Sequence, residues 1–151
     1  MTTESPYAPP KTSVEAAPGV ADIDNLKVSD RWKRRFRAMH KAGGPDLPNS
    51  KALSPEESKE ISVFNIPGFF FGPFYYLAKG MWRKAIVLTV LCLIGILLID
   101  LVLTLVGLGK FTDVTRFIAP AVFATLANRD YYCKMVLHDN GWWWRSHPAA
   151  K

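Results

Sequence analysis

The chain has 151 residues, 49% of them hydrophobic and 21% charged, with a formal net charge of +6. A soluble domain of this length is possible, but the residues are segregated: prolines and charges crowd the first sixty positions, aromatic and aliphatic residues the rest. Two cysteines, Cys92 and Cys133, exclude a disulfide framework or a cysteine zinc site and read as small buried hydrophobes.

Residues 1–27 hold Pro6, Pro9, Pro10 and Pro18 among Thr, Ser, Ala and Glu, without apolar periodicity. They bury too little to offset their ordering entropy and are expected to form a disordered tail. Nothing in them resembles the apolar core of a signal peptide, so membrane insertion is expected to use internal segments.

A basic amphipathic helix is predicted over 28–42. Val28, Trp32, Phe36 and Met39 share one face, with Arg31, Lys33, Arg34, Arg35, Arg37 and Lys41 on the flanks and back. Ser29 or Asp30 caps its start, and Gly43-Gly44-Pro45 ends it. Trp32 and Phe36 are expected to insert among lipid headgroups while Arg34, Arg35 and Arg37 meet anionic lipid. Nucleic acid or an acidic protein is the less favoured partner of this charge, and a solvated helix packed on the rest of the protein is the structural alternative.

Residues 43–60 form a linker and a short helix. Ser54 with Glu57 makes a capping box, and Pro55 takes the first helical position. The membrane domain is expected over 61–145, with a C-terminal tail over 146–151. Its first part, 61–78, has no charged residue and two breaks, Pro67-Gly68 and Gly72-Pro73. Those breaks and the Phe and Tyr density favour an interfacial or re-entrant segment, with a third crossing as the alternative.

Residues 85–109 carry the strongest signal: about 25 apolar residues, roughly 37 Å as a helix against a hydrocarbon layer of about 30 Å. Asp100 is the one charge among them. A short polar turn leads into a second apolar segment that continues through Asn128 and Arg129 to Leu137, and Trp142, Trp143 and Trp144 read as an interfacial anchor. Lys79, Arg83, Lys84, Arg129, Lys134 and Arg145 flank the two segments on one side, against Lys110 and Arg116 in the turn. Both termini are therefore expected in the cytoplasm. The fold class is an all-α membrane protein: a transmembrane helical hairpin preceded by a re-entrant aromatic segment and a basic amphipathic helix.

A carboxylate inside a membrane helix costs several kcal/mol unless paired, protonated or hydrated. A hairpin turning near Asp113 puts Asp100 level with about residue 126. Asp100 is then expected to pair with Asn128 or Arg129, with Thr104 and Thr125 on the facing stripes. The same register puts Cys92 near Cys133 as two free thiols.

The run Phe69-Phe70-Phe71-Gly72-Pro73-Phe74-Tyr75-Tyr76-Leu77, then Gly80-Met81-Trp82-Arg83-Lys84-Ala85 and later Ala127-Asn128-Arg129-Asp130-Tyr131-Tyr132, resembles the YigF/YigG-like family of small bacterial inner-membrane proteins. The resemblance implies the bacterial inner membrane and transfers no activity. His40, His138 and His147 have no metal-ligand spacing, and no catalytic motif is present, so neither an enzyme nor a cofactor is expected. The expected function is that of an accessory, adaptor or membrane-organising protein with the bilayer, anionic headgroups and a protein partner or second copy as its contacts. The alternatives are an oligomeric transport or ion-pathway component using Asp100, and a phage- or plasmid-type envelope-modifying protein.

Overall fold

The computed structural model describes residues 20–145, and these are helical with no strand among them. The helices are α1 (Val20–Asn25), α2 (Asp30–Lys41), α3 (Pro55–Glu60), α4 (Ile66–Ala78), α5 (Trp82–Leu105), α6 (Thr112–Thr115) and α7 (Ile118–Met135). Residues 1–19 and 146–151, which hold most of the expected N-terminal tail and the C-terminal one, lie outside the described residues. Order begins earlier than Val28: α1 packs on α2, Ile23 is buried, and Asp24 pairs with Arg37.

The amphipathic helix forms as its pattern predicts, but its apolar face is not free for lipid. Phe36 and Met39 are buried, and the Phe36 ring packs on Tyr131 and Tyr132 of α7 at 5.6 and 5.7 Å between centroids. Trp32 meets Tyr131 edge-on at 4.6 Å. Trp32 and Phe36 are thus core contacts rather than headgroup anchors. Phe36 is fully buried and Trp32 half-buried, and burying an aromatic ring such as Phe36 gains roughly 2–3 kcal/mol. The α3 capping box forms as read: Ser54 Oγ accepts from the Glu57 backbone, and Glu57 Oε2 accepts from the Ser54 backbone at 2.9 Å.

Helix α4 is broken at Gly72, whose φ of 44° and ψ of −119° no side chain tolerates comfortably. Asn65 caps its start, accepting from the Gly68 N–H at 2.9 Å. The chain enters beside α7, where the Asn65 N–H donates to the Ala124 carbonyl at 3.0 Å. Gly72 lies against the Phe123 ring, and the second arm returns so that Tyr76 reaches Asp130 and Tyr75 reaches Asn65. The segment doubles back on itself instead of running straight. Gly68 permits the close approach, since a Cβ there would lie 3.2 Å from the Ala127 Cβ.

Helices α5 and α7 run antiparallel. Lys84 meets Asp130, Ile96 shares a groove with Ala119 and Pro120, and Gly109 lies against Thr104. The turn therefore falls at 106–108, where Gly107 has a φ of 78°, and not near Asp113. Residues 109–115 fold back along α5. This moves the expected register by about three helical turns and places Asp100 near the level of Thr115. Cys92 lies beside the Phe123 groove while Cys133 is near Lys84, so the two free, buried thiols do not face each other. The core gathers at one end of α5, around Tyr76, Met81, Ala85, Leu88, Phe123 and Tyr132. Beyond Cys92 the outer faces of α5 stay exposed.

Candidate functional site

The charged centre of the core is Asp130 on α7, 0% exposed, beside Lys84 on α5, 1% exposed. Asp130 Oδ1 accepts from Lys84 Nζ at 2.9 Å and from the Trp144 indole N–H at 2.8 Å. Its Oδ2 accepts from the Tyr76 hydroxyl at 3.0 Å. A buried ion pair survives only when its lone pairs are satisfied in this way, because the desolvation cost otherwise exceeds the attraction. Four separate chain segments meet here: the returning arm of α4, the first turn of α5, the C-terminal half of α7 and the chain after it. Sequence reading treated Lys84 as a flanking charge and Trp144 as a lipid anchor, and it missed Asp130. The available signal was that Asp130 shares an α7 face with Phe123 and Ala127, where a carboxylate needs a cation.

A second polar layer lies beside it. Asn128 Oδ1 accepts from Asn65 Nδ2 at 2.7 Å and from Arg35 Nη1 at 3.1 Å, and Asn128 Nδ2 donates to the Ser62 carbonyl. Arg129 pairs with Asp46 of the linker at 2.9 Å. Both residues expected to meet Asp100 are therefore committed elsewhere, since the shorter turn brings residues near Thr115 to its level. Asp100 Oδ1 is buried with no hydrogen-bond partner among the described residues. Thr104 and Thr125 are exposed and bond the carbonyls of their own helices. Trp142 and Trp143 remain exposed, with Trp142 edge-on to Trp82 at 5.3 Å.

The basic residues of α2 divide into two groups. Arg34 pairs with Glu60 at 3.0 Å, Lys41 with Glu57 at 2.7 Å and Arg37 with Asp24. Arg35 turns inward and bonds neutral acceptors, the Glu60 carbonyl at 3.0 Å and Asn128. It lines a cavity of about 360 Å³ together with Arg31, Trp32, Asn65, Tyr75 and Lys79. Partial burial, and then the neighbouring Arg31, hold Arg35 below its ordinary pKa, while burial and then Lys134 lower Lys79. On the other side of the broken helix, an apolar groove of about 290 Å³ runs between Phe71, Phe74, Cys92, Ile96, Pro120 and Phe123. Among the described residues no group of three His, Cys, Asp or Glu is placed to hold a metal.

These features define a small all-helical protein with a polar core at one end of a single long apolar helix, α5, the one helix among the described residues long and apolar enough to cross a membrane. The chain belongs to a protein family of unknown function, DUF2628, whose model matches residues 26–136. It is similar to the uncharacterized protein YigF of Salmonella typhimurium strain LT2 and to that of Salmonella typhi. Each is 27% identical over 128 residues, spanning 80% of this chain and 94% of the relative. The YigF-like resemblance carried by the aromatic run therefore holds. No solved structure matches the chain.

Proposed function

We propose that this is an integral, multi-pass protein of the cell inner membrane, with both termini in the cytoplasm, that works by interaction as an accessory, adaptor or membrane-organising protein. The observation that carries this reading is the outward face of α5. Leu97 is 68% exposed and Leu105 77% exposed, in a 24-residue helix. A soluble protein would bury such a helix on all sides, whereas about 36 Å of helix with apolar residues all round is matched by lipid. In the same reading the broken α4, with Phe70 75% exposed at its tip, is a re-entrant element. Its backbone is tolerated at membrane depth because it packs on α7. The segment after Gly107 completes the hairpin. No catalytic role forms part of this reading.

A second reading, an oligomeric transport or ion-pathway component, is favoured by one observation: the buried, unpartnered Asp100 Oδ1. A second copy could supply its partner.

Alkaline carbonate extraction of membranes, with cysteine labelling at Asp113→Cys and Ser50→Cys in a chain whose native thiols are replaced, tests the first reading. The expected result is a carbonate-resistant protein labelled from outside at position 113 and from inside alone at position 50. Release by carbonate, or labelling of both positions from one side, overturns it.

A further inference from the structure

The cavity between α2 and the base of α4 is lined by basic residues, Arg31, Arg35 and Lys79, without an acidic one. Glu60, whose carbonyl accepts from Arg35, has its carboxylate Oε1 taken by Arg34, which does not line the cavity. Arg31 and Lys79 make no ion pair among the described residues, although Arg34, Arg37 and Lys41 all do. Lys79 Nζ is held instead over aromatic faces, 4.6 Å from the Tyr131 centroid and 5.3 Å from that of Trp32. Tyr75 O accepts from Asn65 Nδ2 at 3.1 Å, which leaves the hydroxyl proton free to donate. Three cations and a hydroxyl donor thus surround a space within the range of small-ligand sites, about 300–1,000 Å³.

These donors select an oxyanion. Guanidinium groups match a phosphate through paired N–H donors, and an ammonium meets it as a point charge. A quaternary ammonium would need the Trp32 and Tyr75 faces that Lys79 already occupies. The position of the cavity narrows the source of the phosphate. Phe64, Ile66 and Pro67 also line the cavity, with Phe64 and Ile66 exposed, and Lys79 stands just before α5. An acyl-bearing molecule can therefore place its head inside and its chains along apolar surface. We propose that the Arg31–Arg35–Lys79 cavity binds the phosphate of an anionic phospholipid. The site rests on the membrane reading above and assigns that reading a specific headgroup pocket in place of a diffuse basic helix.

Native mass spectrometry of the full chain in a neutral detergent tests it, with dioleoylphosphatidylglycerol, dioleoylphosphatidylcholine and glycerol 1-phosphate as probes. Arg31 is exposed and Lys79 makes only ring contacts through its side-chain nitrogen, so R31Q/K79Q is expected to keep the wild-type circular dichroism. R34Q/R37Q removes the same charge from outside the cavity. The expected result is tight binding of phosphatidylglycerol over phosphatidylcholine, weakened about tenfold or more in R31Q/K79Q and about twofold or less in R34Q/R37Q. Equal losses in the two variants, or equal binding of the two lipids, overturn the pocket. Glycerol 1-phosphate binding as tightly as phosphatidylglycerol overturns the lipid source. A chain that resists carbonate extraction yet fails here loses the pocket and keeps its membrane location, so the two failures separate.

Discussion

Asp130 receives hydrogen bonds from Lys84, Trp144 and Tyr76 in a site closed to solvent. Breaking such a pair from one side strands a buried charge at a cost of about 3–5 kcal/mol, whereas removing both charges avoids that penalty. Lys84→Met and Asp130→Leu are each expected to lower the midpoint of thermal unfolding in detergent, and the double variant is expected to unfold above either single one. Additive losses would show that the two charges act independently. Glu57 gives a pH-dependent contribution at the surface. The Lys41 ammonium, followed by the Ser54 backbone N–H, holds its carboxyl below the usual range. The stabilisation is present above the unfolded carboxylate pKa and is lost as pH falls through the lowered folded value. Hydrogen-exchange protection in 54–60, taken relative to the intrinsic exchange rate at each pH, should fall on acidification in the native chain, and Glu57→Gln should flatten that response. The Ser54–Glu57 box was legible because both partners lie three residues apart. The Asp130 pair was not, because its donors come from positions 76, 84 and 144.

Helix α4 shows how far an element follows local rules and where it leaves them. Two Pro–Gly breaks predicted an interruption, and the break falls at the second, where Gly72 has a φ of 44°. Gly72→Ala is expected to cost about 1–3 kcal/mol through backbone strain alone, visible as a lower unfolding midpoint with helix content retained. An unchanged midpoint would mean that the turn is not required. Helix α2 followed its periodicity, yet the partner of its apolar face was misassigned. Amphipathicity states that a face is buried, not what buries it, and Tyr131 and Tyr132 compete with lipid for the same ring. Phe36→Ala is expected to remove about 3–5 kcal/mol of docking and to raise proteolytic cleavage across 43–52. Unaltered cleavage would detach α2 from the core.

For the molecule as a whole, register decides which polar groups meet. The α5–α7 turn at Gly107 brings Lys84 to Asp130 and carries Asp100 away from Asn128. A chain with Cys92 and Cys133 replaced and with Thr104→Cys and Gly109→Cys introduced should crosslink on mild oxidation, since a Cβ at 109 would lie 4.0 Å from the Thr104 Cα. The native Cys92 and Cys133 should remain unlinked under the same conditions. Crosslinking of the native pair would restore the later turn. The all-helical class, the long apolar helix, the α2 amphipathic face, the α3 cap and the α4 break all followed from residues within one or two helical turns of one another. Short-range sterics and periodicity suffice for such features. The Lys84–Asp130 pair, the Asn65–Asn128–Arg35 layer, the inward turn of Trp144 and the cavity at Lys79 join residues far apart in the chain. A shift of the α5–α7 turn alone would part Lys84 from Asp130 while leaving each helix unchanged, so no pattern within a helix reveals that pair.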